Sequence, residues 1–308
     1  PTQIQWLSGG TNIDVSSIGP GDIIEAWNSF ADRRKVAVRL LLNGGLTNVA
    51  VQRFMCSLAE NRRDCFAILD TPSNKQRATD AVAYRRDEGN FNTSYAALYT
   101  PNLGRIDEFT NRKLFIPPSG FVGAQFAESD RKTAEWFAAA GLNRGLVDTV
   151  ELAVEYGEGD IELLFSNQVN PIVKANGKGY PIWGAETLQS KPSALSNISV
   201  RRLLITVELT LVDSLEYQVY EPNDPYTWFM ATQMCNNLLQ PIKEKRGLYA
   251  YLVVANQINN KSYHIDMGLM NVDVLLKPVL PVKFIRLSSI VSRTGAVFSE
   301  ILGLLNGD

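Results

Sequence analysis

Apolar residues fall along this chain in short blocks whose spacing alternates between strand-like and helix-like. Ile4–Leu7 is a brief apolar run that ends in Ser8-Gly9-Gly10. After a polar loop with Gly19-Pro20-Gly21, Asp22 stands as the N-cap of a helix whose inner face is Ile23, Ile24, Trp27 and Phe30. The nearly continuous apolar run Val36–Leu42 predicts a strand buried on both faces, stopped by Asn43-Gly44-Gly45. Helical spacing returns over Thr47–Asn61, with Val51, Phe54, Met55 and Leu58 inward. A second buried strand follows at Cys65–Leu69, then a polar helix over Asn74–Arg86 and a third strand at Tyr95–Tyr99. Strand and helix in strict alternation predict an α/β domain with a parallel sheet. Pro101–Gly104 reads as a turn and Lys113–Ile116 as a strand resuming that sheet; Leu146–Glu155 fits strand or helix equally.

The stretch Ile116–Gly145 organises the rest. Pro117 and Pro118 end a strand, because proline gives the ladder no donor. Ser119-Gly120 turns the chain into a helix carrying Phe121, Ala124, Gln125 and Glu128, and Gly141, Asn143 and Gly145 punctuate the exit. Downstream, Asp160–Asn167 is helical, and Asn176-Gly177-Lys178-Gly179 joins two short strands within Ile172–Trp183. The Ser/Pro-rich connection Ser190–Ser196 lacks periodicity and marks a domain boundary, dividing the chain into 1–190 and 191–308. Beyond it the pattern predicts an α+β layer of two helices and three strands. One helix runs from a Ser199 cap to Tyr217 and the other from Pro225 to Lys245; the strands are Leu248–Ala255, Met270–Leu276 and Phe284–Val291.

A length of 308 residues agrees with two domains at roughly 150 residues each. The formal charge of -2 supplies no long-range attraction to nucleic acid or to an acidic membrane. No apolar run reaches the ~18 residues expected of a membrane-spanning helix. The chain starts without an initiator Met and without a signal-peptide layout, which predicts a piece of a longer protein or a processed one. Cys56, Cys65 and Cys235 sit in separate apolar runs and read as buried reduced thiols.

Chemistry is mostly excluded. The single histidine, His264, lies in a polar stretch of the second domain, so a Ser-His-Asp triad cannot form within the first. One His and three scattered Cys offer no zinc spacing, and the acidic pairs (Asp80 with Asp87-Glu88, Glu158 with Asp160) lack a calcium-loop pattern. Gly177-Lys178-Gly179 lacks the phosphate-loop spacing and reads as a hairpin turn. Arg201 and Arg202 stand at a helix start, where cations oppose the helix dipole at a cost of up to about 1 kcal/mol each. They therefore require anionic partners: an intrachain carboxylate, a neighbouring subunit or another protein. The Arg33-Arg34-Lys35 and Lys243–Arg246 clusters read as solvated faces.

Pro117-Pro118-Ser119, Asp130-Arg131 and Ala140-Gly141, then Asn143-Arg144-Gly145, resemble the core of the contractile tail sheath proteins of long-tailed phages. So do, in order, Leu7–Gly10, Gly21–Trp27, Phe30–Arg33, Arg63-Asp64-Cys65, Asn170-Pro171-Ile172, Gly179-Tyr180 with Trp183-Gly184 and Thr187, Asn197-Ile198 with Val200–Leu203, Glu221-Pro222-Asn223 and Pro281–Leu287. The resemblance covers nearly the whole chain. It implies a subtilisin-like α/β domain followed by a smaller tube-proximal domain, the C-terminal portion of a larger subunit. It also implies a structural role without cofactor or catalysis: homo-oligomeric rings stacked helically around a tail tube, with baseplate and tail terminator proteins as further partners. Such a protein resides in the virion and, during assembly, in the host cytoplasm. Extended chain ends that add strands to neighbours' sheets hold such a sheath together. That role falls on Phe284–Phe298, with Phe284, Ile285, Arg286, Leu287, Ile290, Val291 and Phe298 as candidates, against the alternative of an internal strand and a tail. Arg201 and Arg202 become candidates for a neighbour or tube contact. The competing readings are the sheath of a tailocin or secretion-type injector, and a degenerate hydrolase.

Overall fold

Two adjacent segments with every residue buried, Phe66–Asp70 and Ala96–Thr100, form the centre of the fold. The computed structural model describes residues 18–283. Helix α1 (Pro20–Asn28) opens the chain with Asp22 in its first turn rather than as its cap; the Asp22 carboxylate reaches back to the Gly19 N–H at 2.8 Å. Strand β1 is limited to Leu40–Leu42, and Leu42 is partly exposed. The expected longer strand, buried on both faces, is shorter here, and among the described residues β1 pairs with β2 alone. Helix α2 (Val49–Arg62) is capped by Asn48, whose side chain accepts from the Ala50 N–H. Then come β2 (Phe66–Asp70), α3 (Ala78–Ala83) running into a π-helical turn at Tyr84–Glu88, and β3 (Ala96–Thr100).

The chain then leaves that sheet. Strands β4 (Leu103–Ile106) and β5 (Lys113–Ile116) form an antiparallel hairpin. After α4 (Ser119–Lys132), α5 (Gly141–Arg144) and β6 (Leu146–Val147), strand β7 (Glu151–Leu152) joins β4 on its other side. Lys113–Ile116 therefore belongs to a second, three-stranded sheet, because Leu103–Ile106 is a strand rather than the end of a turn. The ambiguous stretch Leu146–Glu155 holds two separate two-residue strands. Helix α6 (Glu158–Ser166) leads to β8 (Val169–Pro171), which completes a parallel sheet of order β1-β2-β3-β8. Strand β9 (Tyr180–Pro181) pairs with β6, and bridges from Ile172 to Ile182 and from Ala175 to Gly179 close the loop at Gly177-Lys178-Gly179.

Alternation along β2 and β3 divides the core in two. Ala67, Leu69, Ala96 and Leu98 pack with Met55, Leu58, Ala81 and Leu164 from α2, α3 and α6. Phe66, Ile68, Ala97 and Tyr99 pack with Val122 and Phe126 of α4. Two residues of the next helix, α7 (Ile198–Leu215), join this second cluster: Ile198 and Ile205. The other face of α7, with Leu203, Val207 and Leu211, packs on Cys235 and Leu239 of α8 (Pro225–Glu244) and on Leu248 of β10 (Leu248–Val254). Helix α7 thus serves both lobes. After α9 (Ser262–Asp266), β11 (Asp273–Pro278) pairs antiparallel with β10. Among the described residues the second lobe holds two long helices and this two-stranded sheet; the third expected strand, Phe284–Val291, lies outside them.

Candidate functional site

The motif residues converge on two places. At the tip of the parallel sheet, Asp70 is fully buried and takes hydrogen bonds from the Ser119 N–H (2.7 Å), the Ser119 hydroxyl (2.7 Å) and the Gly45 N–H (2.9 Å). Ser119 Oγ in turn accepts from the Gly44 N–H at 3.0 Å. Ser119 begins α4, so the carboxylate also sits at the positive end of a 14-residue helix. A Cβ on Gly45, whose φ is +83°, would lie 2.7 Å from Pro117 Cγ. Asn43-Gly44-Gly45 and Pro117-Pro118-Ser119 are therefore a single interlocked joint. Burial raises the Asp70 pKa above its ordinary value, and the hydrogen bonds from Ser119 and Gly45 oppose that rise. The Ser119 hydroxyl donates to the Asp70 carboxylate, and the chain's one histidine, His264, accepts from the Lys261 N–H in its own turn at 3.2 Å, so no Ser-His pair forms.

The second place is a groove of about 470 Å³ between the lobes. Trp136, Phe137, Phe165 and Trp183 give it aromatic walls, and Ala140, Gly141 and Arg144 form its floor. The Gly141 N–H donates to the Ile182 carbonyl (2.8 Å) and the Ile182 N–H to the Gly145 carbonyl (2.8 Å). A Cβ on Gly145 would lie 2.7 Å from Ala140 Cα, so this turn closes only with glycine. Asn170 fixes the facing segment by donating to the Glu186 carbonyl and accepting from the Glu186 N–H, each at 2.8 Å. Trp136 crosses to the other lobe, where Nε1 donates to the Lys245 carbonyl at 3.1 Å.

Arg201 and Arg202, for which an intrachain carboxylate stood beside a neighbour or tube contact, are 7% and 6% exposed and bond within the chain. Arg202 forms a two-armed ion pair with Asp130, one arm at 2.9 Å, and its guanidinium lies 4.9 Å from the centre of the Phe126 ring. Arg201 donates to Ser94 and stacks 4.2 Å from the Tyr95 ring centre; burial lowers its pKa. Both side chains turn inward because α7 is clamped between the two clusters, which leaves its first turn no path to solvent. The strand-exchange candidates Phe284, Ile285, Arg286, Leu287, Ile290, Val291 and Phe298 lie outside the described residues. Sequence reasoning missed the Arg62–Asp64 pair. There Nε and one terminal nitrogen reach the carboxylate at 2.8 Å each, while the guanidinium also donates to the Phe30 and Val36 carbonyls. Its signal was present in the Arg-x-Asp spacing at the end of α2.

The family described as phage tail sheath protein central domain matches residues 16–188. The chain belongs to the phage tail sheath family. It is 29% identical to the tail sheath protein of Enterobacteria phage T4 over 98% of this chain and 49% of that protein. With the tail sheath protein of Vibrio phage KVP40 it shares 28% over 97% of this chain and 46% of the relative. The chain therefore spans about half the length of the tail sheath proteins it matches. Among solved structures, the sheath of the PVC extracellular contractile injection system in its contracted state superimposes with a TM-score of 0.70 at 26% identity, over 86% of this chain and 72% of that one. The contracted helical sheath of the anti-feeding prophage gives 0.74 at 21% identity, over 88% and 74%, a likeness of fold.

Proposed function

We propose that this chain is part of the structural subunit of a contractile phage tail sheath, which assembles in stacked rings around a tail tube and contracts to drive the tube through the host envelope. The observation that carries this reading is the likeness to phage tail sheath proteins along almost the entire chain. The partners are further copies, the tube protein, and the baseplate and terminator proteins at the ends. The working location is the virion tail, after assembly in the host cytoplasm. Residues 1–190 form the subtilisin-like domain and 191–308 the tube-proximal one; the family match ending at 188 and the exposed connection from Ser190 to Ala194 support that division.

A mechanical subunit needs stiff parts and contacts that survive rearrangement. The doubly covered sheet supplies the first. For the second, the hairpin β10–β11 has each strand at an edge among the described residues, so an incoming strand finds free main-chain groups. The segment Phe284–Phe298 is the proposed donor of that strand. The sheath of an extracellular injector is the second reading, favoured by the match to the PVC sheath. The hydrolase reading finds no histidine beside Ser119, whose hydroxyl is held by the buried Asp70.

The test is assembly. The complete subunit, mixed with purified tube protein and viewed by negative-stain microscopy, is expected to form striated cylinders around the tubes. Persistent monomers at high concentration, with or without tubes, would sink the proposal. Identity of the genes alongside, capsid and terminase or toxin cargo, separates phage from injector.

A further inference from the structure

The two ends of α8 carry surfaces of opposite charge, each rich in aromatic side chains. At its start, the turn joining α7 to α8 presents Tyr217, Tyr220 and Tyr226, which are 80%, 102% and 70% exposed. Tyr220 has φ +72°, a left-handed conformation that a bulky residue rarely adopts. From Leu203 to Ile242 the chain has no lysine, arginine or histidine, but it has Glu208, Asp213, Glu216, Glu221 and Asp224. Glu216 and Glu221 are exposed and form no ion pair among the described residues.

At the other end lies the aromatic groove. Lys283 there is already neutralised by Glu186. Arg144 and Arg246 have no carboxylate partner among the described residues; Arg144 holds its place through the Ala138 carbonyl at 3.3 Å and the Phe137 ring at 5.2 Å, and Arg246 stands exposed just beyond α8. Tip and groove are thus separated by the 20 residues of α8, a span of about 30 Å at 1.5 Å per residue. One subunit cannot close the contact on itself.

We propose that the acidic, tyrosine-bearing tip of one copy docks into the basic aromatic groove of the next. Tyr220 enters between Trp136 and Trp183, and Glu216 and Glu221 face Arg144 and Arg246. Two different surfaces meeting head to tail generate rings or helices rather than closed dimers. Buried aromatic anchors with a charged rim are the usual anatomy of such a contact. The tip is tied to α8 by the Trp228 Nε1–H donating to Asn223 Oδ1 at 2.7 Å and by the Thr227 N–H donating to the Asp224 cap at 2.9 Å. This inference rests on the assembly reading above and names one of its contacts.

The test uses charge reversal in the complete subunit. Glu216→Lys with Glu221→Lys, and separately Arg144→Glu with Arg246→Glu, are each expected to raise the critical concentration for polymerisation about tenfold at low salt. All four changes in one chain are expected to restore it. Tyr220→Ala, which changes no charge, is expected to weaken polymerisation without lowering the melting temperature. If the unaltered subunit fails to polymerise, the assembly reading falls. If it polymerises and the reversed subunits do so equally well, the tip-to-groove contact falls. Tip-reversed subunits that self-assemble normally but no longer decorate purified tubes would assign the tip to the tube and overturn the proposal.

Discussion

Two of the sheets in this protein, the parallel one centred on β2 and β3 in the first lobe and the β10–β11 hairpin in the second, solve the problem of apolar surface in opposite ways. In the first, successive side chains enter two separate cores and no residue of either strand reaches solvent. In the second, alternate residues such as Val274 and Leu276 pack on the helices, while Leu252 and its cross-strand partner Leu275 stay 57% and 56% exposed. A sheet covered on both faces is finished within one chain. A hairpin with one apolar face outward and, among the described residues, both edges open leans on the helices behind it and leaves surface that a further strand can cover. The first lobe is closed around its sheet, and on the assembly reading proposed above the second lobe leaves surface for other copies to cover.

The largest effect is expected where the scaffold holds its buried ion pair. Arg62 and Asp64 have side chains 0% and 8% exposed. Arg62→Ala leaves a carboxylate without its partner and frees the Phe30 and Val36 carbonyls, so a loss of about 3–5 kcal/mol is expected in urea unfolding. A loss below about 1 kcal/mol would mean that this joint does not hold α1 and β1 to the sheet.

Leucine truncation tests the comparison directly. Leu98→Ala in β3 removes a fully buried side chain facing α2 and α6 and is expected to cost about 3 kcal/mol. Leu275→Ala in β11 is expected to change stability by less than about 0.5 kcal/mol. Leu275→Glu sharpens the contrast further, with an unchanged melting temperature but blocked assembly of the complete subunit. Equal costs for the two alanine variants would erase the distinction between finished and open sheets.

Asp70→Asn is a smaller change, because the amide keeps one acceptor yet sets its NH₂ against donors; a loss of about 2 kcal/mol is expected at neutral pH. The sign with pH follows from the raised folded pKa. The contribution of this carboxyl is fully present below pH 3.8, its unperturbed value, and is lost as pH rises through the folded value. The native protein should therefore gain stability relative to Asp70→Asn on acidification through that window. Thermal melts of both proteins across pH 3–7 read the difference, and parallel curves would show that the hydrogen bonds from Ser119 and Gly45 offset burial completely.

How much of this was legible without coordinates depends on the length of each element. The buried strands at Phe66–Asp70 and Ala96–Thr100, and the long helices α2, α7 and α8, announce themselves by periodicity over many residues. Strands of two residues, such as Leu146–Val147 and Glu151–Leu152, carry no period and are defined by partners distant in sequence. The motif Pro117-Pro118-Ser119 was visible, but its partner Asp70 was not, since 49 residues separate them. The dipole argument for Arg201 and Arg202 predicted anionic partners, and Asp130 answers it for Arg202. Stacking on Tyr95 and burial beside Ser94 could not be read from charge alone.

The smallest perturbation asks whether the lobes also differ in how often they open. Cys56 and Cys65 sit in the first lobe, where burial pushes both thiols up to about 12, while Cys235 in the second lobe is raised by burial as well. At pH 8 none is thiolate in the closed state, so a disulfide reagent reacts through opening alone. The second lobe rests on a half-covered hairpin, and Cys235 points into the small cluster of α7, α8 and β10. Its labelling is therefore expected to run about tenfold faster than that of Cys56 or Cys65, resolved by mass spectrometry of single-cysteine variants. One shared rate would show that α7, packed in both clusters, makes the two lobes open together, and the contrast between the sheets would then be one of surface and not of stability.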